Sequence, residues 1–175
     1  MRRSIPYVIY LIILSSILTG CSLSLPPPSP VTLLGTFTEP FLCGFTAYDG
    51  SAEPYRASLA RDLTADTLTV YGTHATTVFF HDGASLSIRT RGNEDIPPLT
   101  MPIPADPGTG AVSSLSLFSV VPDDSGSVCR TDDGFLVTSA DGSYTAAFTK
   151  DCMPIRITHN GRCAEITSFT APPPA

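Results

Sequence analysis

The sequence TTVFFHDGASLSIRTR, residues 76–91, decides the fold expected for this 175-residue chain. Asp82-Gly83 is a dipeptide of the type that forms tight turns. After it, Leu86 and Ile88 alternate with polar side chains. Because alternate side chains of a strand lie on opposite faces, this stretch predicts a β-hairpin with one apolar face.

The same pattern recurs along the chain. Three more turn dipeptides lie between β-rich runs: Asp49-Gly50, Asp141-Gly142 and Asn160-Gly161. The run 53–65 carries both helical and alternating spacings, and its position between a turn and a clear strand favours a strand. We therefore predict about nine strands, over residues 41–48, 53–65, 67–71, 76–81, 85–91, 135–140, 144–148, 155–159 and 163–169.

Short turns between successive strands are typical of an antiparallel meander. We predict a mainly-β domain with a single meander, closed into a barrel or half-barrel, and few helices. A two-sheet β-sandwich is the alternative. The prolines of residues 97–107 exclude a central strand there. We expect a long loop, followed by a short helix or strand over residues 112–120.

The N-terminus has the layout of a secretory signal, with Arg2 and Arg3 before an apolar run that ends at Leu18. Leu18-Thr19-Gly20-Cys21 resembles the lipobox of bacterial lipoproteins. This resemblance implies cleavage before Cys21 and attachment of diacylglycerol to its thiol, whereas the alternative is an uncleaved anchor. Ser22 in the next position implies transfer to the outer membrane, where the protein would face the periplasm.

The expected organisation follows from this interpretation. Residues 1–20 are the signal peptide, 21–30 a lipidated and proline-rich tether, 31–170 the β domain, and 171–175 a disordered tail. Removing Arg2 and Arg3 leaves eight basic against sixteen acidic residues. Such a charge disfavours nucleic acid, so the expected attachment is to a membrane through the lipid.

Four cysteines remain for disulfides, as is common in exported proteins. A two-residue turn at Asp141-Gly142 places Cys152 opposite Thr131 and diagonal to Cys129. We therefore predict Cys129–Cys152 and, by elimination, Cys43–Cys163. The Cys-x-x-Cys spacing of many zinc sites is missing.

Motifs for catalysis are missing as well, including His-Glu-x-x-His, Gly-x-Ser-x-Gly and the phosphate-binding loop. We expect His74, His81 and His159 to be solvated residues in or beside turns. The sequence thus predicts a protein that is not an enzyme and needs no metal or cofactor.

The order of strands resembles that of the LolA/LolB-like lipoprotein carrier and receptor proteins of the periplasm. The similarity lies in the strand pair 79–88, the proline-rich stretch after it, and Met153-Pro154-Ile155-Arg156-Ile157 leading to Phe169. It implies an incomplete barrel that binds an acyl chain or a lipoprotein, with Phe45, Phe79 and Phe148 as the expected contacts. An alternative resemblance is to membrane-bound lysozyme inhibitors, based on Phe41-Leu42-Cys43-Gly44 and the run 55–59. Their inhibitory Ser-Gly-x-x-Tyr loop is missing, and the turn 139–144 is only loosely similar to it.

Overall fold

A computed structural model of the chain describes residues 26–49, 53–92, 97–102, 111–120 and 123–171. They form one sheet of eleven antiparallel strands and two short helices. The strands are β1 Phe41–Asp49, β2 Tyr55–Arg61, β3 Asp66–Tyr71, β4 Thr76–His81, β5 Ser85–Arg91, β6 Leu99–Pro102, β7 Ser127–Arg130, β8 Gly134–Thr138, β9 Tyr144–Thr149, β10 Pro154–His159 and β11 Arg162–Thr170. The helices are α1 Pro30–Gly35 and α2 Ser114–Phe118, the latter preceded by the 3₁₀ turn Ala111–Ser113.

The spatial order of the strands is β6-β5-β4-β3-β2-β1-β11-β10-β9-β8-β7. Every neighbouring pair is consecutive in sequence except β1 and β11, the first and last strands. The predicted mainly-β meander is therefore confirmed, although it has eleven strands and not nine. In the described part of the chain the strands form one sheet and not two, and β6 does not pair with β7, so the sheet is open.

Each of the nine predicted runs contains a strand, and the ambiguous run 53–65 contains β2. The two strands that were not predicted, β6 and β7, are the edges of the sheet. Both have only four residues. β6 ends at Pro102, which agrees with the rule that proline is tolerated at a sheet edge and not in its centre.

The predicted turn registers are correct for two hairpins. Leu136 lies opposite Ala147, as a two-residue turn at Asp141-Gly142 requires. Thr158 lies opposite Cys163, as expected from Asn160-Gly161. The β8–β9 ladder does not extend to Thr131, however. The chain turns between Thr131 and Gly134, and the residues before this turn form β7, which pairs with β8 and not with β9.

This reversal bears on the cysteines. Cys43, Cys129, Cys152 and Cys163 are all free thiols, so neither of the two predicted disulfides is present. Cys129 lies in β7 opposite Leu136, so β8 separates it from β9 and from Cys152.

The prediction of Cys43–Cys163 is wrong in this register. Cys43 lies opposite Phe169, whereas Cys163 lies opposite Tyr48, five residues further along β1. At about 3.3 Å per residue, the two sites are about 17 Å apart along the strands, and a disulfide cannot span that distance.

Helix α1 was not predicted. It begins with Pro30, and Ser29 Oγ accepts the N–H of Thr32 at 3.1 Å, which caps the helix. The second helical segment, over residues 111–118, agrees with the short helix or strand predicted there. The predicted signal peptide, Cys21 and residues 172–175 lie outside the described residues. Among those described, no helix has the length and apolar character that a membrane span requires.

Candidate functional site

Both helices pack on the same face of the sheet, which we call the helix-covered face. Leu33 and Leu34 of α1 and Leu117 and Phe118 of α2 are buried there. Phe37, just after α1, is fully buried and contacts several aromatic rings. These rings belong to Phe41, Phe118, Phe148 and Phe169.

The helix-covered face contains a continuous line of apolar side chains across seven strands, which we call the apolar row. Its members are direct partners in the β ladders. In spatial order they are Leu99, Ile88, Phe79, Leu68, Leu59, Cys43 and Phe169. The row therefore runs from the β6 edge to β11 without a polar interruption.

Burial falls steadily toward one end of the apolar row. Cys43, Leu59 and Leu68 are completely buried. Phe79 and Ile88 are half-buried, and Leu99 is 57% exposed. The apolar face over β4, β5 and β6 is thus only partly covered, and it is the part of this face that an apolar ligand could reach.

The three predicted ligand contacts lie in different environments. Phe45 is fully buried, with its ring 5.1 Å from that of Phe118 in α2. Phe148 is fully buried against Phe37, with 6.0 Å between the ring centroids. Only Phe79 lies on the half-buried part of the face, whereas Phe45 and Phe148 belong to the core.

Arg61 joins the sheet to both helical segments. Its guanidinium makes two hydrogen bonds of 2.8 Å to the carboxylate of Asp66, its partner in the β2–β3 ladder. It also donates to the carbonyl oxygens of Phe37 at 2.6 Å and Phe118 at 2.8 Å. The guanidinium carbon lies 5.4 Å from the centre of the Phe41 ring. Arg61 therefore fixes the ends of both helical segments against the sheet.

The sequence analysis missed Arg61, although a signal was present. Arg61 lies two residues after Leu59 and Asp66 two residues before Leu68, so strand alternation places both charges on the apolar face, on either side of one short turn. Opposite charges on the apolar face of a hairpin indicate a buried ion pair. The pair could have been found from strand alternation, but its carbonyl partners lie 24 and 57 residues away.

A further hydrogen bond holds α2 to the sheet: the hydroxyls of Tyr55 and Ser114 are joined across the helix-covered face. Burial raises the pKa of the Cys43 thiol to about 12, which keeps this thiol protonated and unreactive. In the described part of the chain, no three His, Cys, Asp or Glu side chains are grouped so that they could hold a metal ion.

No protein-family model matches the chain, and a search of curated proteins also gives no match.

Proposed function

We propose that this protein is a lipid-anchored, periplasm-facing lipoprotein of the outer membrane. Its β domain is a non-enzymatic module that binds the acyl chain of a lipid or of another lipoprotein. The apolar row supports this proposal, because its side chains remain partly uncovered over β4, β5 and β6. In this interpretation the open sheet curves into a half-barrel around α1 and α2.

An acyl chain would first contact Phe79, Ile88 and Leu99, where the helices leave the face accessible. Each methylene that it buries contributes about 0.8 kcal/mol, so six methylenes supply about 5 kcal/mol. A deeper position, beside Phe45, requires movement of α2. That helix has five residues. Its displacement would break the hydrogen bond from Arg61 to the Phe118 carbonyl and the one between Tyr55 and Ser114.

The test uses two neighbouring phenylalanines on opposite faces of β4. Phe79 belongs to the apolar row, whereas Phe80 points to the other face and is 43% exposed. We expect Phe79→Ser to weaken binding of a fluorescent C16 fatty acid at least tenfold, and Phe80→Ser to leave it within twofold. Lipids co-purified from membranes would be identified by mass spectrometry.

Two results would contradict the acyl-chain proposal. One is the absence of saturable fatty-acid binding by the wild-type protein. The other is an equal loss of binding in both variants, since that would not depend on the apolar row. Circular dichroism of each variant confirms that it is folded before its affinity is compared.

The membrane anchor is tested separately. Cys21→Ser removes the thiol that the lipobox resemblance assigns to the lipid, so we expect the variant to leave the membrane fraction. Ser22→Asp should retain the protein in the inner membrane. If Cys21→Ser stays in the membrane fraction, the uncleaved-anchor alternative is favoured.

A lysozyme-inhibitor-like or other protein-binding role is the second candidate. The observation in its favour is the exposed turn between β8 and β9, which is rigidly hydrogen bonded. Asp141 accepts from Ser139 Oγ at 2.6 Å and from the N–H of Ser143 at 3.0 Å. These bonds lower the pKa of Asp141 to about 2, so the turn stays negatively charged. A muramidase turbidity assay with wild type and Asp141→Ala tests this role.

A further inference from the structure

The outer face of the sheet, opposite the helices, contains an open groove of about 550 Å³. It crosses β11, β1, β2 and β3. Its polar lining consists of Arg56, Ser58, Tyr71, Thr167 and Ser168, and Phe45, whose ring packs on the helix-covered face, also borders it. Its volume is within the range of about 300–1,000 Å³ that small-molecule sites usually have.

A β-bulge and a glycine create this groove. The β1–β11 register shifts between Gly44 and Phe45, which leaves Thr167 as an extra residue of β11. Gly44 allows Ser168 Oγ to approach the backbone of β1 closely, because a Cβ added at residue 44 would lie only 2.6 Å from that oxygen. The concavity is therefore built into the backbone at the centre of the sheet.

The groove is rich in hydroxyl groups. Ser58, Tyr71, Thr167 and Ser168 each contribute one. Ser58 Oγ and Tyr71 Oη lie 3.0 Å apart in a hydrogen bond, which orients the tyrosine ring at the rim of the groove. That ring is 52% exposed. A hydroxyl both donates and accepts, so four of them can match the hydroxyls of a sugar, whose ring can stack on the tyrosine.

The charge of the groove is opposite to that of the chain. The whole sequence has a formal net charge of −6, yet no Asp or Glu lines the groove. Arg56 is exposed and pairs directly with Tyr71 across β2 and β3. Within the residues that the structure describes, no carboxylate lies within ion-pair distance of its guanidinium. The guanidinium N–H groups of Arg56 are thus available to a ligand carboxylate, which arginine binds through two parallel hydrogen bonds.

We propose that this groove binds an acidic sugar, with Arg56 on the carboxylate, the hydroxyls on the sugar oxygens and Tyr71 against the ring. The site is on the opposite face of the sheet from the acyl-chain site, so the two proposals are independent. A lipid-anchored protein with such a groove could hold an acidic glycan beside the membrane.

The test is a calorimetric titration of the full-length purified protein at low salt with two trisaccharides: trigalacturonate and its uncharged methyl ester. We expect saturable binding of the acid and at least tenfold weaker binding of the ester. Arg56→Gln should weaken binding of the acid at least tenfold, and Tyr71→Ala at least threefold. Arg89→Gln is the matched control, because Arg89 is an exposed arginine on the same face but outside the groove.

Three outcomes would overturn the proposal. The first is that wild-type protein does not bind trigalacturonate at millimolar concentration. The second is equal weakening by Arg56→Gln and Arg89→Gln, which would show only a general charge effect. The third is competition by inorganic phosphate at the same concentration as the sugar, which would identify a simple anion site. An unchanged melting temperature of Arg56→Gln verifies that its fold is intact.

Discussion

At the scale of single residues, the helix-covered face depends on one buried charge. Arg61 is acceptable there because every hydrogen bond that it makes goes to a defined acceptor: the Asp66 carboxylate and the carbonyls of Phe37 and Phe118. Phe118 is the last residue of α2, where backbone acceptors lack partners within the helix, and Phe37 lies two residues after the end of α1. Arg61 thus donates hydrogen bonds to one backbone carbonyl at each helical segment while it is paired with Asp66.

We predict that Arg61→Met destabilises the protein by about 3–5 kcal/mol, because it leaves the Asp66 carboxylate buried without its cation. The midpoint of urea unfolding measures this loss. Arg89→Met, an exposed arginine on β5, is the control and should change stability by no more than about 0.5 kcal/mol. Equal effects of the two substitutions would show that the buried pair has no special role.

The cysteines give a second prediction at this scale. Cys43 is fully buried and its pKa is raised to about 12, whereas Cys129 is exposed. We expect iodoacetamide at pH 8, without reductant, to modify Cys129 in the native protein and Cys43 only after unfolding. Peptide mass spectrometry identifies the sites. If Cys43 stays unmodified in the unfolded, unreduced protein, Cys43 is in a disulfide and the prediction fails.

At the scale of elements, the position of a leucine in the apolar row predicts how much it contributes to the stability of the fold. Leu59 is completely buried in β2, and Leu99 is 57% exposed in β6. We expect Leu59→Ala to cost about 2–5 kcal/mol of stability, and Leu99→Ala less than about 1 kcal/mol. Chemical denaturation of both variants measures the difference. Similar losses would indicate that the face over β6 is fully covered in solution.

The strands could be predicted because their signals are local. Alternation in β5 and turn dipeptides depend only on neighbouring residues. The alternation gave a correct strand, and Asp141-Gly142 and Asn160-Gly161 gave correct registers. The edge strands lacked these signals. β6 contains a proline, and β7 has only four residues, which follow almost directly after the turn at Asp124-Ser125.

The site was less predictable because it depends on contacts between distant residues. Phe45, Phe79 and Phe148 have equal hydrophobicity, and nothing local distinguishes the half-buried one from the two that α1 and α2 cover. The helices are too short to show a helical period. The groove on the outer face results from a bulge, which a single extra residue in β11 produces without a change in composition.

At the scale of the whole molecule, the acidic residues stabilise the turns at the ends of the sheet. Asp62 and Asp82 each accept backbone N–H groups within their own turns, whereas Asp141 accepts chiefly from the Ser139 hydroxyl and also from the N–H of Ser143. These bonds lower the pKa of all three carboxyls. A lowered folded-state pKa means that the contribution to stability is complete above the unfolded-state pKa, about 3.9 for Asp. It is lost as the pH falls toward about 2, the pKa of Asp141.

We therefore predict that the melting temperature falls between about pH 4 and pH 2. Asp141→Asn keeps an acceptor in the turn but cannot titrate, so its melting temperature should depend less steeply on pH over this interval. Differential scanning fluorimetry in matched buffers measures both curves. Parallel curves for wild type and variant would exclude a contribution of this turn to acid unfolding.

The pairing of β1 with β11 has a consequence for the connectivity of the chain. Leu42 and Thr170 are direct partners in this ladder, so the start of β1 and the end of β11 lie side by side. The sheet stays open between β6 and β7, but its first and last strands are adjacent at its centre, so new chain ends at another turn should leave every strand pair intact. A circular permutant that links Thr170 to Pro26 through a short glycine-serine spacer and opens at Gly83 should fold with the same circular-dichroism spectrum.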